Sequence, residues 1–143
     1  APYYKEILSV LHSILDKEYE YLADLNIESI KTVCTYIGIE KNLKVFSQMG
    51  IGITSVNDPD EWALKITKAI DGKIYVNPPG GQSFFDKEKY NRNNIELEFL
   101  QSNLPAYIQK IGHFEAGLSI IDVMMFCSPK EVRDMLDNFQ VIR

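Results

Sequence analysis

The chain has little cysteine, little histidine and no excess of positive charge. Its 143 residues include 2 Cys and 2 His. Two thiols cannot build a disulfide framework. Cys34 and Cys127 both sit among apolar neighbours, so they read as buried free thiols of a reducing cytosol. Neither belongs to a CxxC. His113 has Glu115 nearby but no third ligand at useful spacing, and His12 falls on the polar face of a helix, so no metal centre is expected. Lys and Arg number 15 against 20 Asp and Glu, giving a net charge of -5. That balance excludes non-specific binding to nucleic acid, which needs a basic face. No apolar run approaches the ~18 residues of a membrane span. No charged-then-apolar leader opens the sequence. Nucleophile-elbow and Cys-His signatures are missing, so a hydrolase triad has no support. The expectation is a cytoplasmic protein with no cofactor, no nucleic-acid partner and no membrane insertion.

What is present suits one domain. A chain this long buries roughly 70% of its unfolded surface, and 45% of its residues are hydrophobic. Tyr4, Ile7, Leu8, Leu11, Ile14 and Leu15 recur at helical spacing and predict a helix over 2–21. Asn26 reads as the N-cap of a second helix that buries Ile27, Ile30, Val33, Cys34 and Ile37 and stops at Gly38. Residues 43–46 look like a short strand, and 47–59 a loop. Asp58-Pro59-Asp60-Glu61 starts a third helix burying Trp62, Ile66 and Ile70. Strands are expected at 74–76 and at 95–99, where Ile95, Leu97 and Phe99 alternate with glutamates. Residues 106–108 could add an edge strand. Ser119 caps an apolar helix over 120–126. Ser128-Pro129-Lys130-Glu131 is a capping box for a last helix burying Val132, Met135, Leu136 and Phe139. The fold class is therefore α/β: a small layered domain with a mostly parallel sheet of three to four short strands and about five helices.

Residues 73–90 read KIYVNPPGGQSFFDKEKY. A β-branched and aromatic run stops at a glycine pair, and such strand ends are where α/β proteins place ligands. Gly80-Gly81 reads either as a backbone cradle for an anion or sugar, or as a tight turn. Its spacing fits neither the dinucleotide fingerprint nor the P-loop. Asn77 and Gln82 flank it with donors and acceptors suited to hydroxyls. Asp86 offers a base or hydroxyl-binding group, or merely a helix cap; Lys87 beside it reads as a substrate contact or a surface charge. Farther on, Asp122 interrupts the apolar helix close to Ser119. A carboxylate among Ile121 and Val123 must be bonded. It either faces a pocket or makes a structural contact to a backbone amide or Arg133.

Several of these stretches together resemble the WbqC-like proteins, which are encoded among bacterial O-antigen and surface-polysaccharide genes. The matching pieces are residues 21–30, 34–39, 74–78 with Gly80-Gly81, 85–87, 118–126 and Met135-Leu136. The resemblance implies a role in making lipopolysaccharide or a related glycan. Transfer of an acyl or aminoacyl group onto an amino sugar is the reaction it suggests. Family members begin with a further segment holding a Met-Gln-Pro motif, a Gly-Tyr-rich stretch and an Arg-Asn-Arg, none of which stands here. The chain thus reads as the C-terminal part of such a protein.

Two functions follow as expectations. One is a transferase acting on a nucleotide- or lipid-linked sugar, with Asp86 and Asp122 catalytic and Asn77, Gly80, Gly81, Gln82, Lys87 and Ser119 binding the substrate. The other is a non-catalytic interaction or scaffold domain of a polysaccharide assembly complex. Association into a homo-oligomer is compatible with either.

Overall fold

A computed structural model describes residues 1–110 and 112–143. In chain order the elements are α1 (Tyr4–Leu15), α2 (Leu22–Tyr36), a 3₁₀ turn (Phe46–Gln48), α3 (Glu61–Ala69), β1 (Ile74–Asn77), a 3₁₀ helix (Pro79–Phe84), α4 (Lys87–Arg92), β2 (Glu96–Ser102), α5 (Ile120–Phe126), α6 (Pro129–Leu136) and β3 (Phe139–Ile142). They fall into two units. The first joins Ala1–Leu43 to Asn103–Asn138, and the second joins Lys44–Ser102 to Phe139–Arg143.

The first unit is helical. Ile7 and Ile14 stand two turns apart on α1 and are both buried. The helix ends at Leu15, short of Tyr21, and the Tyr19 hydroxyl donates to the Ile14 carbonyl at 2.9 Å to satisfy one of its last acceptors. α2 starts earlier than Asn26, with Tyr21 at its N-cap and Asp24 complementing the dipole of its first turn. Its stop is as expected. Gly38 has φ +72°, its amide donates to the Thr35 carbonyl at 3.0 Å, and the Ile39 amide reaches the Cys34 carbonyl at 2.8 Å. This double bond across a left-handed residue is the Schellman arrangement. Ser119 caps α5, accepting from the Ile121 amide, and Ser128 and Glu131 form the expected capping box on α6. The core gathers Ile7, Ile37, Met124, Cys127 and Val132. Cys34 is only half-buried, and Leu136 is 46% exposed, because α6 turns Val132 inward instead. Residues 106–108 form no strand.

The second unit holds the sheet, in the order β1-β2-β3. β1 runs parallel to β2, with Ile74 opposite Glu96 and Asn77 opposite Phe99. β3 runs antiparallel to β2, with Phe99 opposite Ile142 and Ser102 opposite Phe139. The sheet is therefore mixed, and only one of its two pairings is parallel. Phe139 belongs to this third strand and not to the last helix. Ile95, Leu97 and Phe99 are buried with Leu64 and Tyr90, and Tyr75 and Phe85 pack on them. Tyr75, Phe85, Tyr90 and Phe99 stack or meet edge-on with ring centroids 5.7 to 5.9 Å apart. Residues 43–46 are not a strand: Phe46 opens the 3₁₀ turn and meets Trp62 edge-on. α3 buries Leu64 and Thr67, while Trp62 and Ile70 stay about half exposed.

Candidate functional site

α5 is an apolar helix with one carboxylate in its first turn. Ser119 fixes where the helix begins, since its hydroxyl accepts from the Ile121 amide at 3.3 Å and its carbonyl from the Asp122 amide at 2.9 Å. Asp122 is thereby set half-buried, and it meets Tyr107 and Gln109 from the irregular segment before the helix. The Tyr107 hydroxyl donates to Asp122 Oδ2 at 2.5 Å, and Gln109 Nε2 donates to the same oxygen at 3.1 Å. Gln109 Nε2 also lies 2.9 Å from the Tyr107 oxygen. The two ends of the Gln109 amide then clasp the Glu115 backbone, its Oε1 accepting from the amide at 2.8 Å and its Nε2 donating to the carbonyl at 3.1 Å. Phe114 packs edge-on against Tyr107 at 5.4 Å. The segment is thus folded back on the carboxylate and held there.

Beside these bonds lies an open cavity of about 230 Å³ lined by Gln109, Lys110, His113, Glu115, Leu118, Asp122 and Phe126. Both protein donors use Oδ2 of Asp122, and among the described residues none is bonded to Oδ1. The cavity therefore offers one oriented carboxylate oxygen, the apolar Leu118 and Phe126, and an exposed rim of Lys110, His113 and Glu115. Burial, and then the bond to Asp122, hold the Tyr107 hydroxyl above the usual tyrosine range, so at neutral pH it remains a donor. Burial likewise pushes the Cys127 thiol up, with Glu131 and Asp122 adding to the effect, which keeps it out of the reactive thiolate form. Arg133 does not meet Asp122; its guanidinium donates to the Ile37 carbonyl.

Tyr107 and Gln109 are the partners that sequence reading misses. Their signal is slight: a Tyr-x-Gln pair, whose period of two puts both side chains on one side of an extended segment.

The remaining candidates lie in the second unit. Asp86 is the N-cap of α4, its Oδ1 accepting from the Glu88 amide at 2.9 Å and the Lys89 amide at 3.1 Å. Its Oδ2 faces Arg92 at 3.7 Å. The Asp86 amide donates to Asp60 Oδ2 at 3.3 Å. Asp60 is 1% exposed, and its Oδ1 takes the Lys89 ammonium at 2.8 Å while its carbonyl accepts from the Tyr90 hydroxyl. Lys89 also pairs with Asp58 at 3.0 Å, and these carboxylates, Asp60 first, hold its ammonium above the ordinary lysine range.

Gly80 and Gly81 sit in the 3₁₀ helix and not in an open loop, and neither has positive φ. Their roles differ. A Cβ on Gly81 would collide with the Asn77 amide nitrogen and approach Phe85 to 3.1 Å, whereas one on Gly80 would meet nothing within 4 Å. Asn77 accepts from the Tyr75 hydroxyl at 3.1 Å and donates to the Pro78 carbonyl at 3.1 Å. Gln82 is exposed. Lys87, the first residue of α4, lines a shallow depression of about 610 Å³.

Ser119 and Asp122 thus belong to the first unit, and Asn77, Gly80, Gly81, Gln82, Asp86 and Lys87 to the second. Among the described residues, no three His, Cys, Asp or Glu side chains gather as a metal ion would require. The sequence model of the WbqC-like protein family matches residues 1–134. The chain belongs to the WbqC-like protein family. Membership points to a role related to polysaccharide biosynthesis. No curated protein and no solved structure matches it. In this WbqC-like chain the match takes in α1 to α5 and the whole Asp122 cavity, while β3 and Arg143 lie beyond it. Among the described residues, no helix is long and apolar enough to cross a membrane.

Proposed function

We propose that this WbqC-like chain belongs to a transferase that moves an acyl or aminoacyl group onto an amino sugar, carried on a nucleotide or lipid, during surface-glycan synthesis. The observation that carries the reading is the oriented Asp122 carboxylate, anchored through Oδ2 and open at Oδ1 in a small cavity. In the proposed step the sugar amine attacks the acyl carbonyl of the donor. A new C–N bond forms, the bond from the acyl carbon to its leaving group breaks, and the proton lost by the amine passes to Asp122 Oδ1. The leaving group departs as an alcohol or thiol once that proton is returned. Tyr107 and Gln109 hold the carboxylate in place, and Ser119 fixes the helix that presents it.

The test is a screen of the chain against nucleotide-linked amino sugars with acyl and aminoacyl donors, read as a mass gain on the sugar. Asp122→Asn is expected to lower the rate by about 10²- to 10⁴-fold, the range of a lost general base. Equal rates for the variant and the parent would remove Asp122 from the chemistry.

One observation favours a second reading, a non-catalytic domain of a polysaccharide assembly complex. None of the residues of α2 is fully buried, and its apolar stripe helps line a groove of about 420 Å³ with α1 and α5. In that case Ile30→Asp would release a partner, and Asp122→Asn would leave glycan output unchanged.

A further inference from the structure

The depression beside Lys87 gathers cations on an acidic chain, with Glu96 also in its lining. Three cations come to it from separate elements: Lys73 just before β1, Lys87 at the start of α4 and Arg143 just after β3. Two of them, Lys73 and Lys87, have no carboxylate within 4.0 Å among the described residues, as is also true of Lys5, Lys31, Lys41, Lys44, Lys68 and Lys110. The Lys73 carbonyl accepts from the Glu96 amide at 2.8 Å, which fixes its backbone beside β2. The Asn91 and Asn94 side chains add amide donors at the same rim.

Arg143 is held by an unusual partner. Glu98 lies on the central strand with only 7% of its surface exposed, and its Oε1 accepts from Arg143 Nε at 2.7 Å. Glu96 pairs with the same Nε at 3.1 Å. A carboxylate buried in a sheet is costly to desolvate, and an apolar residue of similar volume is often as stabilising or more so. Its effect here is geometric. Both carboxylates engage Nε, so the terminal guanidinium nitrogens are left to bind something else, and a guanidinium fork matches phosphate oxygens.

We infer that this depression is a binding site for a diphosphate, with Lys73, Lys87 and Arg143 contacting the anion and Glu98 positioning Arg143. The diphosphate could be supplied by a nucleotide or by a lipid headgroup, and the shared chemistry is the pair of phosphates. Lys73 and Lys87 lie within the residues the family model matches, and Arg143 lies outside them. The inference stands apart from the Asp122 reading: neither needs the other.

Calorimetric titration of the full chain with inorganic pyrophosphate tests it. Saturable 1:1 binding that weakens as salt is raised is expected, because the charges are exposed to solvent. Lys73→Gln, Lys87→Gln and Arg143→Gln should each weaken binding about five- to tenfold, the range for a charge-assisted contact near the surface. Glu98→Leu should keep or raise the melting temperature yet weaken binding severalfold, although it removes a negative charge from the site. A purely structural Glu98 would not give that pairing of effects. Tighter binding of uridine diphosphate than of pyrophosphate assigns the nucleotide source. Preferential co-sedimentation with vesicles containing a polyprenyl diphosphate over vesicles containing the corresponding monophosphate assigns the lipid. No saturable pyrophosphate binding, binding indifferent to all three cation variants, or tighter binding by Glu98→Leu would overturn the proposal.

Discussion

Tyr107 and Asp122 share a hydroxyl-to-carboxylate hydrogen bond of 2.5 Å, at the short end for an O–H donor and a charged acceptor. It joins an irregular segment to the first turn of α5 and sets which carboxylate oxygen faces the cavity. The coupling between the two residues should be measurable. A double-mutant cycle of Tyr107→Phe and Asp122→Ala, followed by urea unfolding, is expected to give an interaction of about 1–2 kcal/mol, the lower part of the range for bonds to charged groups because the pair is only half-buried. Additive effects would mean that the bond contributes nothing in solution.

The glycine pair makes opposite predictions for adjacent residues. Gly81→Ala places a methyl against the Asn77 amide and the Phe85 ring, so it should destabilise by about 1–3 kcal/mol, as overpacking does. Gly80→Ala has open space around its Cβ and should stay within about 0.5 kcal/mol of the parent. Thermal unfolding of the two variants side by side checks the contrast. Equal losses would contradict it.

Asp86 caps α4, so Asp86→Ala should cost about 1 kcal/mol. Asp86→Ser retains a capping oxygen and should recover most of that loss. The serine variant also separates cap from chemistry in the transfer assay. A rate loss in a variant of restored stability would give the carboxylate a catalytic part.

Stability should form a plateau with two flanks. Glu28, Glu61 and Glu131 sit below the ordinary carboxylate value of 4.5, through Lys17 for Glu28, the Asn57 amide and Lys65 for Glu61, and Ser128 for Glu131. Near and below pH 4.5 the unfolded chain binds protons that the folded chain refuses, so stability is lost as pH falls. Tyr107, Lys17 and Lys89 sit above their ordinary values of 10.0 and 10.5. Above about pH 10 the folded chain keeps protons that the unfolded chain releases, so stability falls again as pH rises. Urea midpoints from pH 3 to 11 trace both flanks. Glu131→Gln, which still offers Ser128 an acceptor, should flatten the acid flank.

Local signals in the sequence were reliable where one residue dictates the backbone. Gly38 could be read as a stop because only a left-handed residue closes that end of α2, and Ser119, Ser128 and Glu131 could be read as caps because the bonds they make are between neighbours. The apolar Leu97 and Phe99 marked β2, although Glu98 between them is buried as well. Features set at long range were not legible. Phe139 looked like a helix residue because only its pairing with β2 makes it part of a strand. Trp62 looked like a core residue, yet α3 turns Leu64 and Thr67 inward instead. Of the candidate cavity, Asp122 was visible as an interruption in an apolar run. Its partners Tyr107 and Gln109 were not, since nothing nearby in the chain requires them.

Because Ser102 pairs with Phe139 across the whole of residues 103–138, the second unit cannot complete its sheet from contiguous chain. On the ribosome, β1 and β2 emerge with one side of β2 unpaired until residues 139–142 are made. Closing so long a loop is slow, and an open strand edge meanwhile invites pairing with other nascent chains. Expression yield should therefore depend more on the last strand than its four exposed residues would suggest.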